Sequence, residues 1–171
     1  MGKRTCMETA LAKLNYRMRT EHELRKALSE AGFNNDEIDD SLEELKEYGY
    51  VDDLRFVREF YKSYRRKNWS RNRIIRALGE KGITSGMARD ALDDFEGSQE
   101  FKSLGLNSDE RTEALKVGRD MARIQLNSGK NIDDNFLRKI GRRLTTLGYD
   151  TGCCYFVMKK IREEGNNSLE E

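Results

Sequence analysis

The feature that most constrains this chain is that it repeats itself. TEHELRKALSEAGFNNDEIDDSLEEL, from Thr20, aligns with SRNRIIRALGEKGITSGMARDALDDF, from Ser70, at an offset of 50. Thr20 falls on Ser70, Leu24 on Ile74, Leu28 on Leu78, Gly32 on Gly82, Phe33 on Ile83, Ile38 on Ala88, Leu42 on Leu92 and Leu45 on Phe95. A fainter third copy, at an offset of 116, places Ile140, Leu144, Gly148, Tyr149, Cys154, Met158 and Ile161 on the matching positions. Fixed-period self-similarity of this kind belongs to stacked supersecondary units, none of which buries its apolar face alone.

Each copy carries the same local signals. A Ser or Thr precedes apolar residues spaced i, i+4, the pattern of a capped amphipathic helix. Glycine follows, at the position where a helix ends in the left-handed conformation, and a second helix begins after one apolar residue. A further helix leads each pair, at about Cys6–Met18, Leu54–Arg66 and Glu110–Leu126. The chain has no proline and few runs that alternate apolar with polar residues, which favours helices over strands. The expected architecture is all-α, with three tandem three-helix repeats. The expected boundaries are 1–52 for the first repeat and 53–97 for a basic second repeat. A link at 98–109 leads to the third repeat at 110–165, and a disordered tail occupies 166–171. The link, EGSQEFKSLGLNSDE with its flanks, is polar and contains Gly and Ser, so it would let the third repeat move.

The adjacent carboxylates of GYVDDLRF raise the question of a catalytic or metal site. Asp52 and Asp53 stand where the second repeat begins, and either can accept N–H groups at a helix start. Val51 and Phe56 have the spacing of a hydrophobic staple if Asp52 is the cap. Asp133-Asp134 precedes another helix in the same way, and the one histidine, His22, sits in a first helical turn, on the surface. NSGKN (127–131) fails as a phosphate loop, because Ile124 stands where glycine is needed and Asn131 where Ser or Thr is needed. No zinc spacing, calcium loop or nucleophile motif appears. The expectation is no enzyme, no catalytic residue, no metal and no cofactor.

Cys6, Cys153 and Cys154 make an odd count with no disulfide framework. The N-terminal residues lack a signal-peptide apolar run, and no segment approaches a membrane span, so a cytoplasmic protein is expected.

Net charge is only +1, but it is held in blocks. Residues 20–53 carry three basic and twelve acidic groups, and residues 54–84 carry ten basic and two acidic. On a helical wheel Phe56, Val57, Phe60, Tyr61 and Tyr64 span roughly 140°, while Arg55, Arg58, Lys62, Arg65 and Arg66 fall in a separate arc of about 100°. Lys67, Arg71, Arg73, Arg76 and Lys81 follow, and Arg138, Lys139, Arg142 and Arg143 form a smaller stripe in the third repeat. Such density costs self-repulsion unless a partner relieves it, which points to phosphates or an acidic protein surface. Trp69 can stack on a base or cover the junction between repeats. A helix-turn-helix reader of DNA fits less well, because the second helices, DEIDDSLEELKE and MARDALDDFE, are acidic and would be repelled by phosphates.

With the repeats laid out, the chain resembles the RecX family, regulators of the RecA recombinase. The stretches carrying the resemblance are RMRTEHELRKALSEAGF (17–33), LEELKEYGYVDDLRFVREF (42–60) and RNRIIRALGEKGI (71–83). GYVDD stands here for the family's GYLDD. The resemblance is specific over about residues 5–95 and weaker over 110–163, where the long link and Cys153-Cys154 depart from the pattern. It implies an elongated, curved helical array without a catalytic site, acting in homologous recombination, DNA repair and the SOS response. Such proteins lodge in the groove of the RecA–DNA filament and limit its growth, ATP hydrolysis and strand exchange. The implied partners are the RecA filament and, weakly, single- and double-stranded DNA, with the chain itself a monomer. The basic residues named above are the expected contacts, and a stand-alone DNA-binding protein is the rival reading.

Overall fold

The computed structural model describes residues 4–167. Among them lie ten helices and no strand: α1 (Cys6–Tyr16), α2 (Glu21–Ser29), α3 (Asn35–Glu47), α4 (Asp53–Arg65), α5 (Arg71–Gly79), α6 (Ser85–Gly97), α7 (Gln99–Ser103), α8 (Glu110–Asn127), α9 (Asp134–Leu147) and α10 (Thr151–Asn167). The three three-helix repeats are α1–α3, α4–α6 and α8–α10, as the sequence period requires. Helix α10 runs two residues into the segment expected as a tail, and residues 168–171 lie outside the described residues.

The repeat's apolar positions are the core. Leu24, Leu28, Ile38, Leu42 and Leu45 are buried together in the first repeat with Cys6, Ala10 and Val51. Ile74, Leu78, Ile83, Ala88, Leu92 and Phe95 are buried in the second. In the third, Ile140, Leu144, Tyr149, Cys154 and Ile161 are buried as the alignment predicts, but Met158 is only half-buried and Val157, one residue earlier, is fully buried. Val157 seats against Gly118 of α8, where an added Cβ would come within 2.6 Å of its side chain. The aligned residues Ser41 and Ala91 are buried in the other two repeats, so the register holds and only the Met158 position opens.

Helix starts follow the expected chemistry. Thr20, Ser70 and Asp133 accept the N–H groups of Glu23, Arg73 and Phe136 at 3.1, 3.2 and 2.8 Å. Gly32, Gly82 and Gly148 all adopt positive φ in the turns between second and third helices.

The chain divides into two compact units, Met1–Phe60 with Ile75–Asp94, and Tyr61–Ile74 with Phe95–Glu171. The division falls inside α4, α5 and α6 instead of between repeats. In the second unit the link is packed, not an open tether. Phe101 of α7 is buried, its ring 5.6 Å from Phe95 and 6.3 Å from Tyr61. The Lys62 ammonium donates to Glu100 at 2.9 Å.

Candidate interaction surfaces and repeat junctions

Asp52 and Asp53 have separate tasks. Asp52 accepts the Arg55 N–H at 2.9 Å and so caps α4, with Val51 and Phe56 both buried around it. Asp53 reaches back to the first repeat and accepts the Glu21 N–H at 2.9 Å. Burial pushes its carboxyl above the ordinary range, against the opposing pull of that N–H. Beside it the Thr20 hydroxyl, fully buried, donates to the Lys81 carbonyl at 2.6 Å. Gly82, the next residue, lies against His22 so closely that a Cβ would sit 2.2 Å from the histidine's own. His22 is exposed, as expected, yet its stem sets this contact.

The junction inside the second unit repeats the device. The Ser70 hydroxyl donates to the Gly148 carbonyl at 2.7 Å, and a Cβ on Gly148 would lie 2.5 Å from Arg73 Cβ. Glu110, first residue of α8, takes the place of Asp53, since its Oε1 accepts the Arg71 N–H at 2.9 Å. It also receives the Arg65 guanidinium at 3.0 Å. Burial pushes Glu110 up, ahead of the Arg71 N–H and Arg65 charge that pull it down. Both junctions thus join a buried hydroxyl to a glycine turn and a helix N–H to an acid from the following repeat.

The fourteen cations expected on the surface separate into two groups. Arg65 is 2% exposed and donates to Glu110, to Trp69 O at 3.1 Å and to Asn107 O at 2.5 Å. It lies on the edge of the wheel's apolar arc, one turn from Tyr61, and its position there is internal. Lys62 pairs with Glu100, and Arg71 lies 3.5 Å from Glu96. Arg73 lies 3.8 Å from the Trp69 ring centre and donates to Thr146 O. Lys81 donates to Glu23 at 2.9 Å and sits about 6 Å over the rings of Phe56 and Phe60. These five side chains hold the protein together, which answers much of the self-repulsion that the sequence alone presents.

The second group faces solvent. In the first unit these are Arg55, Arg58 and Arg76, and in the second Arg66, Lys67, Arg138, Lys139, Arg142 and Arg143. Lys67 sits 4.5 Å over the Tyr64 ring and Arg138 donates to Asn135 at 3.0 Å. Trp69 is half-buried, packs against the core of the third repeat and lies 4.2 Å from Tyr64, so it covers the junction.

The cysteines are all free and buried. Burial, then the Asp150 charge, pushes the Cys153 thiol up to about 11, and burial raises Cys154 as well, which leaves little thiolate at neutral pH. Among the described residues no cluster of His, Cys, Asp and Glu is suited to a metal, and no helix is long and apolar enough to cross a membrane.

Comparison with known proteins decides the family. The family models described as the first and second RecX three-helix domains match residues 6–45 and 52–92. The regulatory protein RecX of Clostridium perfringens (strain 13 / Type A) is 30% identical over 156 residues, covering 91% of this chain and 68% of that protein. The chain belongs to the RecX family. The regulatory protein RecX of Amycolatopsis mediterranei (strain U-32) is also 30% identical, over 158 residues and 82% of its length. The crystal structure of RecX from Lactobacillus salivarius shares the fold, with a TM-score of 0.65 at 20% identity, covering 92% of this chain and 94% of that one. A second crystal structure of regulatory protein RecX gives a TM-score of 0.63 over 90% of this chain and 70% of that one.

In this RecX-family chain, the junction residues Asp53, Glu110, Thr20 and Ser70 escaped the sequence reading as inter-repeat contacts. Thr20 and Ser70 were legible only as caps. The signal for Glu110 was its place at the head of a repeat's first helix, the place Asp53 holds in the repeat before.

Proposed function

We propose that this chain is a negative modulator of a RecA-type recombinase. It binds in the groove of the RecA–DNA filament and limits filament growth, ATP hydrolysis and strand exchange. The observation that carries the reading is the set of outward cations, Arg55, Arg58, Arg66, Arg76 and the Arg138–Arg143 stripe, on a RecX-family scaffold whose Lys62, Arg65, Arg71, Arg73 and Lys81 are engaged within the chain. Cations left facing solvent in this number suit acidic protein surface and phosphate. Family membership supports a RecA-type recombinase as the partner. The reading is of a binding protein, cytoplasmic and monomeric, and no step asks the chain for bond-making chemistry.

The test is single-strand-dependent ATP hydrolysis by the recombinase of the same organism, titrated with this protein. Inhibition well below one copy per protomer is expected. The double variant Arg58→Glu with Arg66→Glu, which leaves Arg65 in place, should keep its helicity and lose most of that inhibition. Undiminished inhibition by the variant would overturn the assigned surface.

A second reading, a DNA-binding protein that needs no recombinase, is favoured by the four exposed cations at 138–143 within one helix. It predicts binding to bare DNA that falls steeply with salt.

A further inference from the structure

A groove of 510 Å³ opens between α9 and α10, entirely within the second compact unit. Its volume falls in the range of sites that take small organic ligands, about 300–1,000 Å³. Its floor is Leu137, Met158 and Tyr155. Gly141 makes the floor possible, because a Cβ there would come within 3.0 Å of the Met158 sulfur, so Met158 lies down on α9. Tyr155 is 67% exposed. A large aromatic side chain left in water inside a groove is available for stacking.

The rim decides what would stack. Arg138, Lys159 and Arg162 line it. Two acids also line it, Asp134 bonded to Arg162 and Glu163 at 4.0 Å from Lys159. Among the described residues Arg138 meets only the Asn135 amide and keeps its charge for a ligand. Across α9 and α10 the cations are Arg138, Lys139, Arg142, Arg143, Lys159, Lys160 and Arg162, and the acids Asp134, Glu163 and Glu164, so the pair of helices carries 7 − 3 = +4. The other exposed tyrosines lack this setting. Tyr48 and Tyr50 follow α3, whose Asp36, Glu37, Asp39, Asp40, Glu43, Glu44 and Glu47 are all exposed and would repel phosphates. Tyr16 adjoins Arg17, which is bonded to Glu23.

We propose that this groove is a single-stranded nucleic-acid subsite, in which a base stacks on Tyr155 and flanking phosphates meet Arg138 and Lys159. An exposed aromatic platform beside exposed cations is the arrangement that grips single strands without reading sequence. An acidic peptide would find the same charge but would leave the ring without a flat partner. The subsite does not depend on the recombinase, so it can fail while inhibition of ATP hydrolysis holds, and the reverse.

The test uses fluorescence anisotropy with the full chain, no recombinase and low salt. The probes are a short oligo-thymidine strand and an abasic strand of the same length and charge. The parent should bind the thymidine strand about tenfold tighter than the abasic one, the size of one stacked base. Tyr155→Ala should erase that preference with helicity unchanged, Tyr155→Trp should keep it, and Arg138→Glu should weaken both strands alike. A parent that binds both strands equally or neither, or a Tyr155→Ala variant that retains the preference or loses affinity equally for both, overturns the subsite. Tight binding of an acidic peptide with no preference between strands would overturn it as well.

Discussion

Asp53 Oδ1 accepts the Glu21 backbone N–H at 2.9 Å, so the head of one repeat caps a helix of the repeat before it. Asp52, one residue earlier, caps only its own helix. The two carboxylates therefore respond differently to substitution. Asp52→Ala loses an N-cap, about 1 kcal/mol, and Asp52→Asn is near neutral because asparagine caps equally well. Asp53→Ala leaves the Glu21 N–H without its acceptor and costs about 1–2 kcal/mol. Asp53→Asn keeps an acceptor and removes a charge that burial disfavours. The raised carboxyl value means that folding holds this proton more tightly than the unfolded chain does. Its contribution to stability is complete below the unfolded value and lost as pH rises through the folded one. Asp53→Asn should consequently match or exceed the parent at neutral pH and lose that advantage in acid. Urea unfolding across pH checks this.

The glycine turns give a graded series. Gly32, Gly82 and Gly148 all have positive φ, but a Cβ on Gly32 would meet nothing within 4 Å, whereas Gly82 and Gly148 are pressed against His22 and Arg73. Gly32→Ala should cost about 1 kcal/mol from backbone conformation alone. Gly82→Ala and Gly148→Ala add a clash with a side-chain stem that cannot swing away, and should cost about 2–4 kcal/mol. Thermal unfolding of the three variants under one condition settles the order.

Much of the fold could be read in advance because an apolar repeat and a cap are local signals. Leu24, Leu28, Leu42 and Leu45 announce their burial by spacing. Arg65 does not. Its spacing puts it with the exposed arginines, and Glu110, 45 residues away, with the Trp69 and Asn107 carbonyls makes its burial favourable. The packing of the link was hidden for a similar reason, because Phe101 is one apolar residue in a polar stretch and its partners Tyr61 and Phe95 belong to other helices. Gly118, which seats Val157, is a small residue whose meaning appears only when a second helix lies on it. Charge density misled in the same manner, since five of the cations find partners that are distant in sequence.

Arg65 and Glu110 form a deeply placed ion pair in the second unit, with the arginine side chain 1% exposed and the glutamate 32%. Removing one partner of such a pair strands the other. Glu110→Ala should cost about 3 kcal/mol, because the Arg65 guanidinium keeps only carbonyl oxygens and the Arg71 N–H loses its acceptor. Arg66→Ala, its exposed neighbour, should stay within about 0.5 kcal/mol of the parent. Equal stabilities for the two variants in chemical unfolding would contradict the buried position of Arg65.

Acid should weaken the first unit through Glu23. Burial pushes this carboxyl up, but hydrogen bonds from Arg17 and Lys81, with their charges, outweigh burial and hold it at about 2. A folded value below the unfolded one means stability that is present above about pH 4.5 and lost as pH falls towards 2. The site is partly open to solvent, so the screened contribution is about 1–2 kcal/mol. Glu23→Gln should lower stability by that amount at neutral pH and flatten its dependence below pH 5. Lys81→Met should do part of the same, since Arg17 still donates to Glu23 at 2.9 Å. A parent and a Glu23→Gln variant whose stability curves run parallel from pH 6 to pH 3 would remove Glu23 as the acid-sensitive group.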